Sequence, residues 1–192
     1  FLNNETGLNI EYSAEPKIDG ISASLLYKDG KFIIGLSRGD GKEGEDITEN
    51  LKTIKDIPHQ ITLKSFPKEI DIRGEVFIQN SDFKNLRNKF ANPRNAASGS
   101  LRQKDSKETQ KIPWRFIAYT FGYEKGLEVS TQEDYLKKVK EWGLQTKPLN
   151  KTIGTIKDLM KNYNEVEKKR DKIDFVINGM VNKVNDFGLQ KS

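Results

Sequence analysis

The run EPKIDG at positions 15–20 places a lysine amine, Lys17, two residues from the carboxylates of Glu15 and Asp19. A lysine with a reference pKa of about 10.4 attacks nothing at neutral pH unless its surroundings lower that value. Burial beside other cations does so, because desolvation and like charge both disfavour the ammonium form. The competing reading is a solvated lysine ahead of an Asp-Gly turn. Four further stretches carry suitable partners: SRGDG at 37–41, DIRGEVF at 71–77, FANPRNAASGSLRQ at 90–103 and NGMVNK at 178–183. Together they supply arginines, a second lysine and carboxylates. They fit the same lysine-nucleophile chemistry.

The elements that must position these groups are partly legible. Residues 21–27 and 31–37 alternate apolar and polar across Lys28-Asp29-Gly30, which predicts a hairpin with Lys17 and Asp19 at its entry and Arg38 at its exit. Residues 69–78 predict a strand with Ile70, Ile72, Val76 and Ile78 on one face and Asp71, Arg73 and Glu75 on the other. A helix is expected after Asp46, with Glu49 as capping-box partner, running through Leu51 and Ile54 to Pro58. Asn92-Pro93 reads as an N-cap and first helical position, opening a helix toward Leu101. On ideal geometry Arg94 and Arg102 then fall roughly 80° apart around it, within reach of one ligand surface.

Residues 115–123 read as a strand. Two amphipathic helices follow. One spans 130–142 with Tyr135, Leu136, Val139 and Trp142 inward and Gly143 as the stop; the other spans 155–169 with Ile156, Leu159, Met160, Tyr163 and Val166 inward. A last strand covers about 174–185. Antiparallel strands and helices in blocks predict an α+β fold.

Composition narrows the chemistry. No cysteine and a single histidine, His59, exclude disulfides, thiolate metal sites and a Ser-His-Asp triad. Any metal would sit on oxygen ligands, which points to Mg2+ held mostly by phosphate. A formal charge of +5, from 33 basic and 28 acidic residues, suits a polyanionic partner. No apolar run is long enough to cross a membrane and no signal-peptide pattern is present, so a soluble cytoplasmic protein is expected.

Taken together, the five stretches resemble the motif series of the adenylation domain of NAD-dependent bacterial DNA ligases. The resemblance runs from residue 1 to 192. FANPRNAASGSLRQ is its most specific part, since ATP-dependent ligases and capping enzymes share the lysine motif without it. The resemblance implies the nucleotidyltransferase-like fold of DNA ligases and mRNA capping enzymes: antiparallel sheets with flanking helices. It implies that Lys17 attacks the α-phosphate of NAD, releases nicotinamide mononucleotide and carries AMP, which then activates the 5′-phosphate at a nick in double-stranded DNA. Asp19 would orient the lysine or the ribose, Glu15 would meet the adenine amino group, Arg38 would hold ribose or phosphate, and Glu75 the ribose hydroxyls. Tyr119 matches an aromatic that stacks on adenine, and Lys183 a lysine that contacts the α-phosphate. Arg94, Arg102 and Arg170 match arginines that serve AMP and nick phosphates.

The family pattern ahead of Lys183 is Asp-Gly, whereas this chain has Asn178-Gly179. The change removes a negative charge near the expected metal. Asn178 and Lys183, five residues apart, fall on opposite faces of a regular strand, so both reach one site only if Gly179 marks a bulge or bend. The stretch between Leu86 and Phe90 is shorter than is usual in the family. The chain starts at Phe1 without methionine and reads as an excised piece, a monomer. The amino-terminal nicotinamide-binding module and the downstream OB-fold, zinc, helix-hairpin-helix and BRCT modules of family members are absent from it. Alone it is expected to react slowly or not at all with NAD. Two alternatives remain open: an ATP-dependent ligase or related nucleotidyltransferase, and a non-catalytic DNA-binding fragment.

Overall fold

The structure, a computed structural model, describes residues 11–39, 44–86, 101, 104–147, 151–153, 156–169 and 177–187, with the backbone alone at 15–17, 151–153, 156, 157, 159 and 177–184. Two antiparallel sheets carry the described residues. The first has three strands in the order β6-β1-β7, formed by β1 (Tyr12–Ile18), β6 (Lys151–Ile153) and β7 (Ile177–Val184). The second has four strands in the order β3-β2-β4-β5, formed by β2 (Ile21–Lys28), β3 (Lys31–Arg38), β4 (Glu69–Phe77) and β5 (Arg115–Lys125). The α+β expectation therefore holds.

The β2–β3 hairpin forms as its turn residues require. Asp29 and Gly30 both take positive φ, at 50° and 78°, the pair that matches the twist of the flanking strands. On β4 the alternation is realised as read, with Ile70, Ile72 and Val76 buried and Asp71, Arg73 and Glu75 on the opposite, half-buried face. The apolar face packs with Ala23, Leu25 and Tyr27 of β2, Phe116 and Ala118 of β5, and Trp114.

Helix α4 (Gln132–Glu141) closes this core. Thr131 caps it by accepting from the Asp134 amide at 3.1 Å, and Gly143, at φ 92°, ends it. Its inward residues Tyr135, Leu136 and Val139, and the following Trp142, are buried as expected. Burial pushes the Tyr135 phenol well above its ordinary value, so it stays protonated and donates to the Thr120 carbonyl at 2.9 Å.

Three expectations need correction. Helix α1 is only Thr48–Leu51, because Asp46 bonds the Thr48 amide and hydroxyl and a series of turns follows Leu51. Glu49 is no capping-box partner; it pairs with Lys52 at 3.3 Å. On α5 (Ile156–Lys169), Val166 is buried as read, but Met160 and Tyr163 are 61% and 43% exposed, so the inward stripe is narrower than the periodicity suggested. Strands β1 and β6 and the short helices α2 (Asn80–Phe83) and α3 (Ser106–Gln110) carry too little periodicity to be read from sequence. The helix expected from Asn92-Pro93 lies outside the described residues, as does the stretch at 87–90; Leu101, toward which that helix pointed, is buried.

The turns after α1 are held by one buried carboxylate. Asp56 accepts from Arg115 Nε at 2.6 Å, from Arg115 Nη2 at 3.2 Å and from the Phe116 amide at 3.1 Å. A bidentate guanidinium plus a backbone donor satisfies most of the lone pairs that burial takes from water. Replacing Asp56 by Ala should cost about 2–3 kcal/mol, since it strands the guanidinium and the amide together. Urea unfolding measures this, and a loss below about 0.5 kcal/mol would show that the segment is held by its apolar residues alone.

Candidate nucleotide-binding site

The chain passes from the first sheet to the second through Asp19-Gly20, the last half of KIDG. At Gly20 the backbone runs so close to β4 that a Cβ would overlap the Val76 carbonyl oxygen and meet Glu75 Cγ at 3.1 Å. Glycine is needed there for close approach. The contact brings the lysine motif beside Glu75, from the motif at 71–77. Asp19 at this corner is half-buried.

β1 is central in its sheet. It pairs with β6 only over Tyr12 to Ala14, whereas its pairing with β7 extends to Ile18. Pro16 thus falls beyond the β6 ladder, where a missing N–H disrupts nothing. On the β7 side Glu15 pairs with Val181, Lys17 with Gly179 and Ile18 with Ile177. The register shift between Lys17 and Ile18 leaves Asn178 as the extra, bulged residue, next to the partner of Lys17. The bulge expected at Gly179 is therefore present one residue earlier, at Asn178, while Gly179 keeps its pairing with Lys17. Backbone pairing sets Lys183 opposite Ser13, four residues along β1 from Lys17.

The polar face of the second sheet carries the other expected residues. Register sets Ser22 between Arg38 on β3 and Glu75 on β4, and Ser24 between Leu36 and Arg73. Ser22 Oγ donates to Glu75 Oε2 at 3.0 Å, which gives the carboxylate a hydroxyl partner from the neighbouring strand. Arg38 Nη1 donates to Ser24 Oγ at 3.4 Å, and Arg73 Nε to Asp71 Oδ2 at 3.1 Å. Gly122 keeps this face open, because a Cβ there would strike the guanidinium of Arg73.

Tyr119 joins the same cluster from β5. It lies at a second bulge, where Arg73 pairs with Thr120 and Gly74 with Ala118. Its phenol meets the Ser22 hydroxyl, whose hydrogen bond favours the ionised form. Burial raises the phenol above its ordinary value and Glu75 adds to the rise, against the opposing pull of the Ser22 bond, Arg38 and Arg73. The ring is neutral at physiological pH, as a stacking surface for a base should be.

Sequence reasoning missed several contributors. Ser22 had only its strand parity as a signal. Gln132, 1% exposed, donates from Nε2 to the Tyr119 carbonyl at 2.6 Å while its amide donates to the Asn185 carbonyl at 2.7 Å. It thereby ties β5 to the chain just past β7. Lys147 stands over the Tyr119 ring, Nζ 4.5 Å from the centroid, and nothing in a lysine-rich chain singles it out. The positions of Arg94, Arg102 and Arg170 and the side chains of Glu15, Lys17, Asn178 and Lys183 lie outside the described residues. Among the described residues no group of three or more Asp, Glu, His or Cys could hold a metal ion.

The profile of the family described as NAD-dependent DNA ligase adenylation domain matches residues 2–192. The chain belongs to this family. It is 64% identical over 191 residues to a DNA ligase of Pelagibacter ubique, covering all of this chain and 28% of that protein. It is 44% identical over 198 residues to a DNA ligase of Parvibaculum lavamentivorans, covering 99% of this chain and again 28% of the relative. The chain thus spans somewhat over a quarter of the length of these ligases. The fold is similar to that of a solved mycobacterial DNA ligase D complexed with ATP and MES, at a TM-score of 0.52 and 14% identity over 92% of this chain and 49% of that one. Among the described residues, no helix is long and apolar enough to cross a membrane.

The Gly20 corner makes a direct test of the site's construction. Gly20→Ala should destabilise the chain by about 1–3 kcal/mol, because the obstacle is backbone and cannot swing aside. An unchanged urea midpoint would mean that the two sheets can separate slightly at no cost.

Proposed function

We propose that this chain is the adenylation domain of an NAD-dependent DNA ligase in which Lys17 becomes the AMP carrier. The observation that carries the reading is the Asp19-Gly20 corner, which joins the lysine motif to the polar face bearing Arg38, Ser22, Glu75 and Tyr119. In the reaction the Lys17 amine forms a P–N bond to the α-phosphorus of NAD as the bond to the nicotinamide mononucleotide phosphate breaks. The proton leaves the amine, and AMP remains on Lys17. AMP is then passed to the 5′-phosphate of a nick in duplex DNA, and the adjacent 3′-hydroxyl displaces it.

The roles divide by chemistry. Tyr119 supplies a neutral ring for adenine, and Glu15 accepts from the adenine amino group. Glu75 exchanges its serine partner for ribose hydroxyls. Arg38 holds ribose or phosphate, Asp19 orients the lysine or ribose, and Lys183 faces the α-phosphate. Arg94, Arg102 and Arg170 serve AMP and nick phosphates through bidentate bonding. Mg2+ would be held chiefly by cofactor phosphates, since Asn178 offers a neutral amide in place of a carboxylate. The domain acts within a monomer that also supplies nicotinamide-binding and DNA-encircling modules.

In a full-length ligase carrying this chain, Lys17→Ala should abolish the mass increase of one AMP on incubation with NAD. Retained adenylylation at another lysine would remove the assignment, and labelling by ATP in preference to NAD would overturn the choice of cofactor.

Restoring charge at the bulge, Asn178→Asp, should lower the Mg2+ concentration giving half-maximal adenylylation. An unchanged or higher requirement would make the asparagine functionally adequate.

A further inference from the structure

Lys147 is 7% exposed, yet its ammonium lies 4.5 Å from the centre of a ring on the polar face of the sheet. Its placement follows from the backbone. The Ala118 amide on β5 donates to the Gln145 carbonyl at 2.9 Å, which lays the segment after Gly143 alongside this edge strand. Two residues on, Lys147 reaches the ring of Tyr119. The same tyrosine is pinned at its carbonyl by Gln132. Its backbone and one face of its ring are therefore both held by the protein.

We infer that Lys147 is a positioning and specificity residue for the base bound in this site, acting through Tyr119. A buried ammonium occupies the ring face it covers, so a ligand arriving from solvent stacks on the other. The cation is attracted to the negative face of the ring and draws π density toward itself. The opposite face becomes a better partner for an electron-rich purine, and the ring loses its freedom to tilt. Both effects act on binding of the base and leave the phosphorus centre alone. The inference rests on the proposal that Tyr119 is the adenine-stacking residue.

The variants that separate the possibilities are Lys147→Met, similar in length but uncharged, Lys147→Arg, which keeps a cation over the ring, and Tyr119→Leu. In a full-length ligase carrying this chain, Lys147→Met should raise KM for NAD about three- to tenfold, with the effect falling on KM rather than kcat. Lys147→Arg should restore most of the loss. In the Tyr119→Leu background Lys147→Met should have no further effect, because the lysine acts through the ring. If Tyr119→Leu raises KM and Lys147→Met does not, the inference fails while the stacking proposal stands. If Tyr119→Leu leaves KM unchanged, both fail. Additive losses in the double variant, or a Lys147→Met loss that Arg does not rescue, would overturn the inference by assigning Lys147 to the fold. Urea midpoints of the single variants unchanged from the parent keep a folding defect from imitating the result.

Discussion

Two residues of backbone join the sheets, and the site depends on that short passage. With at most about 3.6 Å of reach per residue, Asp19-Gly20 cannot let the end of β1 drift far from the start of β2. The bare Cα of Gly20 then lets the corner close onto the Val76 carbonyl. Any larger residue would lift the lysine motif away from Glu75. The glycine of KIDG is thus a packing requirement, whatever chemistry the lysine performs.

A second connection sets the relation of the sheets at the far end. Asn185, just past β7, accepts from the amides of Gln132 and Glu133, and its own amide donates to the Glu11 carbonyl. Gln132 passes the constraint on to the Tyr119 carbonyl. Phe187 packs edge-on against Phe121 at 5.3 Å, adding an apolar contact to the polar ones. Gln132 therefore couples the helix start, the end of one sheet and the β5 bulge of the other, through its main-chain amide and its side chain together. Buried polar groups of this kind stay folded only when nearly every donor and acceptor is met.

Of the four register shifts in the described strands, the two at Asn178 and Tyr119 have a common use. A regular strand sends consecutive side chains to opposite faces, so adjacent functional residues cannot share a site. The bulge at Asn178 changes the parity of β7 next to Lys17, and the bulge at Tyr119 re-aims β5 next to Arg73. On the proposed function, both irregularities sit where the nucleotide would lie.

The local patterns determined much by themselves. Asp29-Gly30 sets the hairpin, the alternation of 69–78 sets the polar face of Glu75, and Thr131 and Gly143 bound α4, because each depends only on neighbouring residues. The five motif stretches likewise identified the family, since side-chain type and order survive in sequence. Only the tertiary structure decided the pairing of Ser22 with Glu75, the role of Gln132, the placement of Lys147 over Tyr119 and the outward turn of Met160 and Tyr163. Those facts depend on which strand lies beside which and on where one residue is inserted in a register. A strand's own residues do not encode its partner's register. A lysine that reaches a ring across the edge of a sheet looks, in sequence, like every other lysine.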